Sequence, residues 1–116
     1  MRDYKKMTVW QKSYTLGISL YKVTQGFPKE EAYGLTSQLR RAAVSIASNI
    51  AEGSRRSTDK DFRSFLYIAF GSGAELEVQI LFAKDLGYVN EKEANQLLVN
   101  LEEIMKMLNA FIKTLS

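Results

Sequence analysis

The chain contains neither cysteine nor histidine. Without cysteine there is no disulfide scaffold, no zinc ribbon and no thiol nucleophile. Without histidine the commonest general base and the commonest transition-metal ligand are both missing. Proline occurs once and glycine seven times in 116 residues, too little punctuation for an all-β domain. No unbroken apolar run approaches the ~18 residues of a membrane span. The charged start, Met1 to Lys6, leads into no signal-like apolar region, because Gln11, Lys12 and Ser13 interrupt it. These absences set the expectation of a cytoplasmic protein without membrane contact, catalytic residue, metal or cofactor.

Hydrophobic residues make up 46% of the chain and charged residues 25%, the balance of an ordinary globular protein. The length fits one domain, residues 1–116, with a core of its own. Charge is uneven along it. Residues 1–63 hold 12 basic and 6 acidic groups, and residues 64–116 hold 4 and 7. A basic half points to a polyanion partner, although a solvated surface can be uneven without any partner.

Apolar periodicity predicts four helices. The first runs from about Thr8 to Thr24, with Val9, Ser13, Leu16, Leu20 and Val23 on one line. Trp10, Tyr14, Gly17, Tyr21 and Thr24 lie on the next, a stripe wide enough to be buried on two sides. Gly26 is a candidate left-handed cap, and Pro28 stops the helix. The second starts near Pro28 or Leu35 and reaches about Glu52, with Gly53 as its terminating residue. The third is capped by Ser57 or Thr58, carries Asp59 and Asp61 in its first turn, and ends at Gly87. Phe62, Leu66, Ala69, Gly73, Leu76, Ile80 and Ala83 alternate by four and three along it, which suits near-parallel packing. The fourth runs from Glu91 to about Thr114 behind an Asn90–Glu93 capping box. Four helices with short links predict an all-α, antiparallel up-down-up-down four-helix bundle. Thirteen aromatic residues and wide apolar stripes exceed what one small bundle buries, so self-association is expected.

Two groups of polar residues stand apart from the core lines. Arg41, Ser45, Ser48 or Asn49, and Glu52 share a face of the second helix, and Ser72, Glu75 and Gln79 share a face of the third. If these faces meet, Arg41 or Arg40 can pair with Glu75. The arrangement reads as a structural polar network or interface, with a small-molecule site as the weaker alternative. A second cluster is basic: Arg40 and Arg41 on the second helix, then Arg55, Arg56, Lys60 and Arg63 around the following link. Such groups near a helix N-terminus suit phosphate. Phe62 and Phe65 fit the core better than a base-stacking surface. Carboxylate pairs at metal-binding spacing are absent.

Three segments carry a family resemblance. They are Val9-Trp10-Gln11-Lys12, the run from Gly34 to Gly53 that ends Ser-Ile-Ala-Ser-Asn-Ile-Ala-Glu-Gly, and Ala69-Phe70-Gly71-Ser72-Gly73-Ala74-Glu75-Leu76-Glu77. The chain resembles the bacterial 23S ribosomal RNA intervening-sequence proteins, a family similar to the accessory variability protein of diversity-generating retroelements. The resemblance implies a four-helix bundle assembled as a ring-shaped homopentamer, with no established enzymatic activity. It also implies RNA or DNA as partner, held by basic groups on the outside of the ring. Here those groups would be Arg40, Arg41, Arg55, Arg56, Lys60 and Arg63. The alternative is a scaffold that docks another protein without touching nucleic acid.

Overall fold

The structure is a computed structural model that describes residues 2–115. Its helices are α1 (Thr8–Thr24), α2 (Leu35–Ser54), α3 (Asp59–Asp85) and α4 (Glu91–Thr114). Single 3-10 turns cover Tyr4–Lys6 and Lys29–Glu31. No strand occurs among the described residues. Consecutive helices run in opposite directions. Arg40, early in α2, bonds Thr24 at the end of α1. Arg63, early in α3, bonds Leu115 beyond α4, and Lys84, late in α3, bonds Asn95 early in α4. The bundle is 43 Å long, as a 27-residue helix at about 1.5 Å per residue requires.

Local chemistry sets the helix ends. The Thr58 hydroxyl accepts from Asp61 N (3.1 Å), and Asp59 and Asp61 occupy the positive end of α3. Asn90 Oδ1 accepts from Glu93 N (2.7 Å) and starts α4. Gly87, at φ 77°, ends α3 in the left-handed conformation, and Tyr88 N reaches back to Ala83 O (2.9 Å). The start of α2 has no side-chain cap of its own at Gly34. Glu31 supplies one from the preceding turn: Leu35 N donates to its Oε1 (3.1 Å), and Tyr88 OH donates to its Oε2 (2.9 Å). Those two bonds, the backbone one first, hold the Glu31 carboxyl below its ordinary value, and the bond to Glu31 is the main cause that pushes the Tyr88 hydroxyl up.

The core is the set of expected apolar lines. Leu20, Leu39, Ile46, Ile50, Phe62, Leu66, Leu76, Ile80, Leu101, Ile104 and Leu108 are all at most 1% exposed. Two glycines behave otherwise than expected. Gly26 does not adopt a left-handed backbone, and α1 closes instead through ordinary turn bonds. Gly53 does not end α2 either; it is buried one residue inside it. A Cβ there would lie 2.7 Å from Phe65 Cβ and 2.9 Å from Phe62 Cδ1. Gly53 is therefore required by the closeness of α2 and α3. Gly73 plays a similar part toward α4, where Met105 fills the space a Cβ would take.

The second line of α1 also departs from expectation. Tyr14 and Tyr21 are exposed and Trp10 is only partly covered: Tyr4 meets the Trp10 ring (4.9 Å) and Arg40 lies over Tyr21 (4.6 Å), but no helix covers this line. Phe65 is half-buried, whereas Phe62 is wholly inside.

Gly53→Ala should destabilise the subunit by about 1–3 kcal/mol through overpacking. Gly26→Ala meets nothing closer than Val23 O at 3.6 Å and should be neutral or stabilising by up to ~1 kcal/mol. Urea unfolding of both variants checks the contrast. The lowered Glu31 carboxyl has its own signature. Its contribution is complete above the ordinary carboxylate value of 4.5 and is lost as pH falls through the lowered folded value. Glu31→Gln should flatten that part of the stability–pH profile, measured by thermal melts.

Candidate nucleic-acid interface and polar recess

One end of the bundle gathers the start of α1, the α2–α3 link and the end of α4. Arg2, Lys5, Lys6, Arg55, Arg56, Lys60, Arg63 and Lys113 lie there, against the carboxylates of Asp3, Glu52, Asp59 and Asp61. The Arg55 guanidinium sits over the Tyr4 ring (5.5 Å) and so joins the N-terminal turn to the α2–α3 link. Arg56 pairs with Glu52 (3.0 Å) and lies over Phe65 (4.6 Å). Lys60 is exposed. Arg63 is committed to structure, donating to Leu115 O (2.6 Å) beyond the end of α4. Arg2 bridges to Asp59 (2.6 Å) over the Phe62 ring. Lys5 and Lys6 are additions that sequence reasoning missed. Their charge was plain in the sequence, but nothing there placed the N-terminal turn beside residues 55 and 56.

Arg40 and Arg41 do not join this end. They lie about fourteen residues up α2, roughly 20 Å away at 1.5 Å per residue. Arg40 is turned onto α1, donating to Thr24 Oγ1 (2.8 Å) and Tyr21 O (3.2 Å) with the Tyr21 ring beneath it. A partly buried arginine with these partners fastens α2 to α1.

Arg41 lines a recess of about 340 Å³ between α2 and α3, together with Gln38, Ser45, Ser72, Glu75 and Gln79. The two polar faces read from the sequence thus do meet. Asn49 Nδ2 donates to Ser45 O (2.8 Å) and to Ser45 Oγ (3.0 Å). The carbonyl partner fixes the amide orientation, and Ser45 Oγ shares a further hydrogen bond with Ser72 Oγ at 2.7 Å, in which either hydroxyl can donate. Glu52 stands outside this chain of bonds, held by Arg56. Arg41 and Glu75 face the same recess without forming an ion pair; the four ion pairs among the described residues lie elsewhere. The Gln79 amide oxygen is shut from solvent with no hydrogen-bond donor. No group of three or more acidic side chains among the described residues is placed to hold a metal.

The remaining surface is divided by polarity. The outer side of α4 carries Glu91, Lys92, Glu93, Glu102, Glu103, Lys106 and Lys113, with Val99 its one strongly exposed large apolar residue. The outer side of α3 is the reverse, with Tyr67, Ile68, Val78, Leu81 and Phe82 exposed. Although its apolar runs are short, α3 taken whole is long and apolar enough to cross a membrane by length and composition. The short-run expectation missed this because single Ser, Gly and Gln residues break a sequence apolar on every side. Between α1 and α2 lies an apolar groove of about 310 Å³, walled by Tyr14, Ile18 and Tyr21 and floored by Gly17, Ala47 and Ala51.

The fold and these surfaces define a small four-helix-bundle protein with a basic end and uncovered apolar faces. The sequence matches the family described as 23S rRNA-intervening sequence protein over residues 5–110, and the chain belongs to that family. No curated protein matches it. A solved structure from Bacteroides thetaiotaomicron, a protein with unknown function from the S23 ribosomal protein family, has the same fold with a TM-score of 0.82. That relative is 24% identical, and the match covers 91% of this chain and 99% of the other.

Arg40→Ala and Arg63→Ala should each cost about 1.5–3 kcal/mol of stability, the usual worth of hydrogen bonds to charged groups. Chemical denaturation measures this directly. Lys60→Ala, with an exposed side chain, should change stability by less than about 0.5 kcal/mol.

Proposed function

We propose that this protein is a non-enzymatic assembly and binding module. Identical four-helix subunits join into a ring, five in number as the family resemblance implies. Each subunit offers its basic end to the phosphates of RNA or DNA. The observation that carries the nucleic-acid reading is the convergence of Lys5, Lys6, Arg55, Arg56 and Lys60 on one end of the bundle. The family description, which names the 23S rRNA-intervening sequence, favours RNA as the first partner to try.

The chemistry is that of backbone contact. Stacking on Tyr4 and Phe65 holds the Arg55 and Arg56 guanidinium groups at the surface, where planar N–H donors match phosphate oxygens. Lys5, Lys6 and Lys60 act as mobile point charges around them. The N-terminus of α3 opens on the same end and adds partial positive charge, offset by Asp59 and Asp61. Tyr4 and Phe65 are taken up beneath Arg55 and Arg56, so the contact is read as one of charge and shape rather than of sequence. One subunit, at a formal +3, would bind weakly. A ring repeats the contact, and its effective affinity rises through multivalency.

Fluorescence anisotropy with a short mixed-sequence RNA tests the proposal. Binding should be measurable at ~50 mM salt and weaken steeply toward ~200 mM, as counterion release requires. Arg55→Glu with Arg56→Glu should weaken it by about tenfold or more, while Lys92→Glu at the opposite end should leave it unchanged. A wild-type protein that ignores both RNA and DNA at low salt would overturn the nucleic-acid reading and leave the protein-docking scaffold in its place.

A further inference from the structure

The recess between α2 and α3 holds hydrogen-bonding groups that the chain itself leaves unused. Ser45 of α2 meets Ser72 of α3, and the two helices run antiparallel, so Arg41 stands level with Glu75 and Gln38 with Gln79. From Ser45 to Gln38 the recess is roughly 10 Å long, seven residues of helix. Arg41 and Glu75 are exposed, and neither makes a hydrogen bond or ion pair with any described residue. Ser45 and Ser72 carry two hydroxyl hydrogens between them. One lies between the two oxygens, and Asn49 donates to Ser45, so the other has no acceptor among the described residues. The Gln79 amide oxygen, shut from solvent, has no donor, a costly state for a buried acceptor. Free donors therefore stand at Arg41 and the serine pair. Free acceptors stand on α3, at Glu75 and, one turn further on, at Gln79.

Elsewhere on this surface opposite charges within reach close on one another. Lys12 pairs with Glu103 (3.0 Å), Arg56 with Glu52 (3.0 Å) and Lys106 with Glu102 (3.4 Å). Arg41 and Glu75 instead stand apart across a space of about 340 Å³. We infer that this recess binds a small zwitterion of the free α-amino-acid class. The ligand carboxylate lies on the Arg41 guanidinium and the spare serine hydroxyl. Its ammonium lies on the Glu75 carboxylate and on the Gln79 amide oxygen, which turns toward the ligand and so gains its missing donor. Each is a hydrogen bond to a charged group, the stronger kind. A ligand of one sign does not suit the recess, since an anion meets Glu75 and a polyamine meets Arg41. The volume is that of a site for a small molecule. Ala42 is the one apolar residue in the lining, and Gln38 closes the far end, so the side chain received is small or polar. The inference goes beyond the nucleic-acid and assembly readings and depends on neither.

Thermal melts of the whole chain with each standard L-amino acid at ~10 mM screen for the ligand. One that binds with a Kd of about 1 mM should raise the melting temperature by several degrees. Serine, glutamine or another small or polar amino acid should do so, and leucine and phenylalanine should not. Titration calorimetry with the best of them then tests the contacts. Arg41→Gln and Glu75→Gln should each weaken binding by about tenfold or more. Both side chains are exposed and unpaired, so the melt of either variant without ligand should match the wild type. The N-acetyl form of the ligand, which lacks the ammonium, and its carboxamide, which lacks the carboxylate, should lose as much. A chain whose melt no amino acid shifts would overturn the inference and leave the recess to water. Binding that survives in both variants would overturn it by placing the ligand elsewhere. An N-acetyl form that binds as well as the free amino acid would overturn the zwitterion, and a shift confined to leucine and phenylalanine would overturn the polar recess as the site.

Discussion

At Gly53 even a methyl group would collide with Phe62 and Phe65, and the close approach of α2 and α3 depends on that vacancy. Closeness at this point brings Ser45 and Ser72 to hydrogen-bond distance two to three turns further along. It sets Arg41 and Glu75 on opposite banks of one recess. It also keeps the α2–α3 link short, so that Arg55 and Arg56 are presented together beside Tyr4 rather than on a long loop. A bundle with a bulkier residue at position 53 would spread these helices and scatter all three features. The polar chain Asn49–Ser45–Ser72 then fixes their rotation about one another, since only one register satisfies it.

The rest of the surface divides the work between water and protein. α4 shows how this sequence makes a solvent face, with charge on nearly every outward turn. α1, α2 and α3 do not follow that pattern, and their outward apolar residues concentrate on the α1–α2 groove and the outer side of α3. The charges follow the same division. Cations dominate α1, α2 and the end of the bundle near residue 55, while acids crowd α4. The uncovered apolar surfaces and the basic end thus lie on separate parts of one chain.

Much of this was legible in the sequence. Helix bounds followed from periodicity and caps. Thr8–Thr24 and Glu91–Thr114 emerged as expected, and the choice between Ser57 and Thr58 fell to Thr58. The meeting of Ser45 with Ser72, and of Arg41 with Glu75 across one recess, followed from shared helix faces. What stayed hidden was set by tertiary distance. Gly53 looked like a stop signal, because a glycine that permits close packing and one that ends a helix are the same letter. Arg40 and Arg63 counted as surface cations, but long side chains swing to whatever acceptor lies within reach, here Thr24 and Leu115. The second line of α1 looked like core, since periodicity reports which residues share a face and not whether this chain covers it. The outer face of α3 escaped notice for the same reason: the heptad that identifies its inner line says nothing about the opposite side.

The most direct measurement is the native mass of the purified chain by light scattering across a dilution series at physiological salt. The account predicts a discrete multiple of 13.2 kDa that persists on dilution, because apolar contact is not screened by salt. A monodisperse 13.2 kDa particle at every concentration would contradict it. The α1–α2 groove and the outer side of α3 would then be surfaces that this protein leaves open to water.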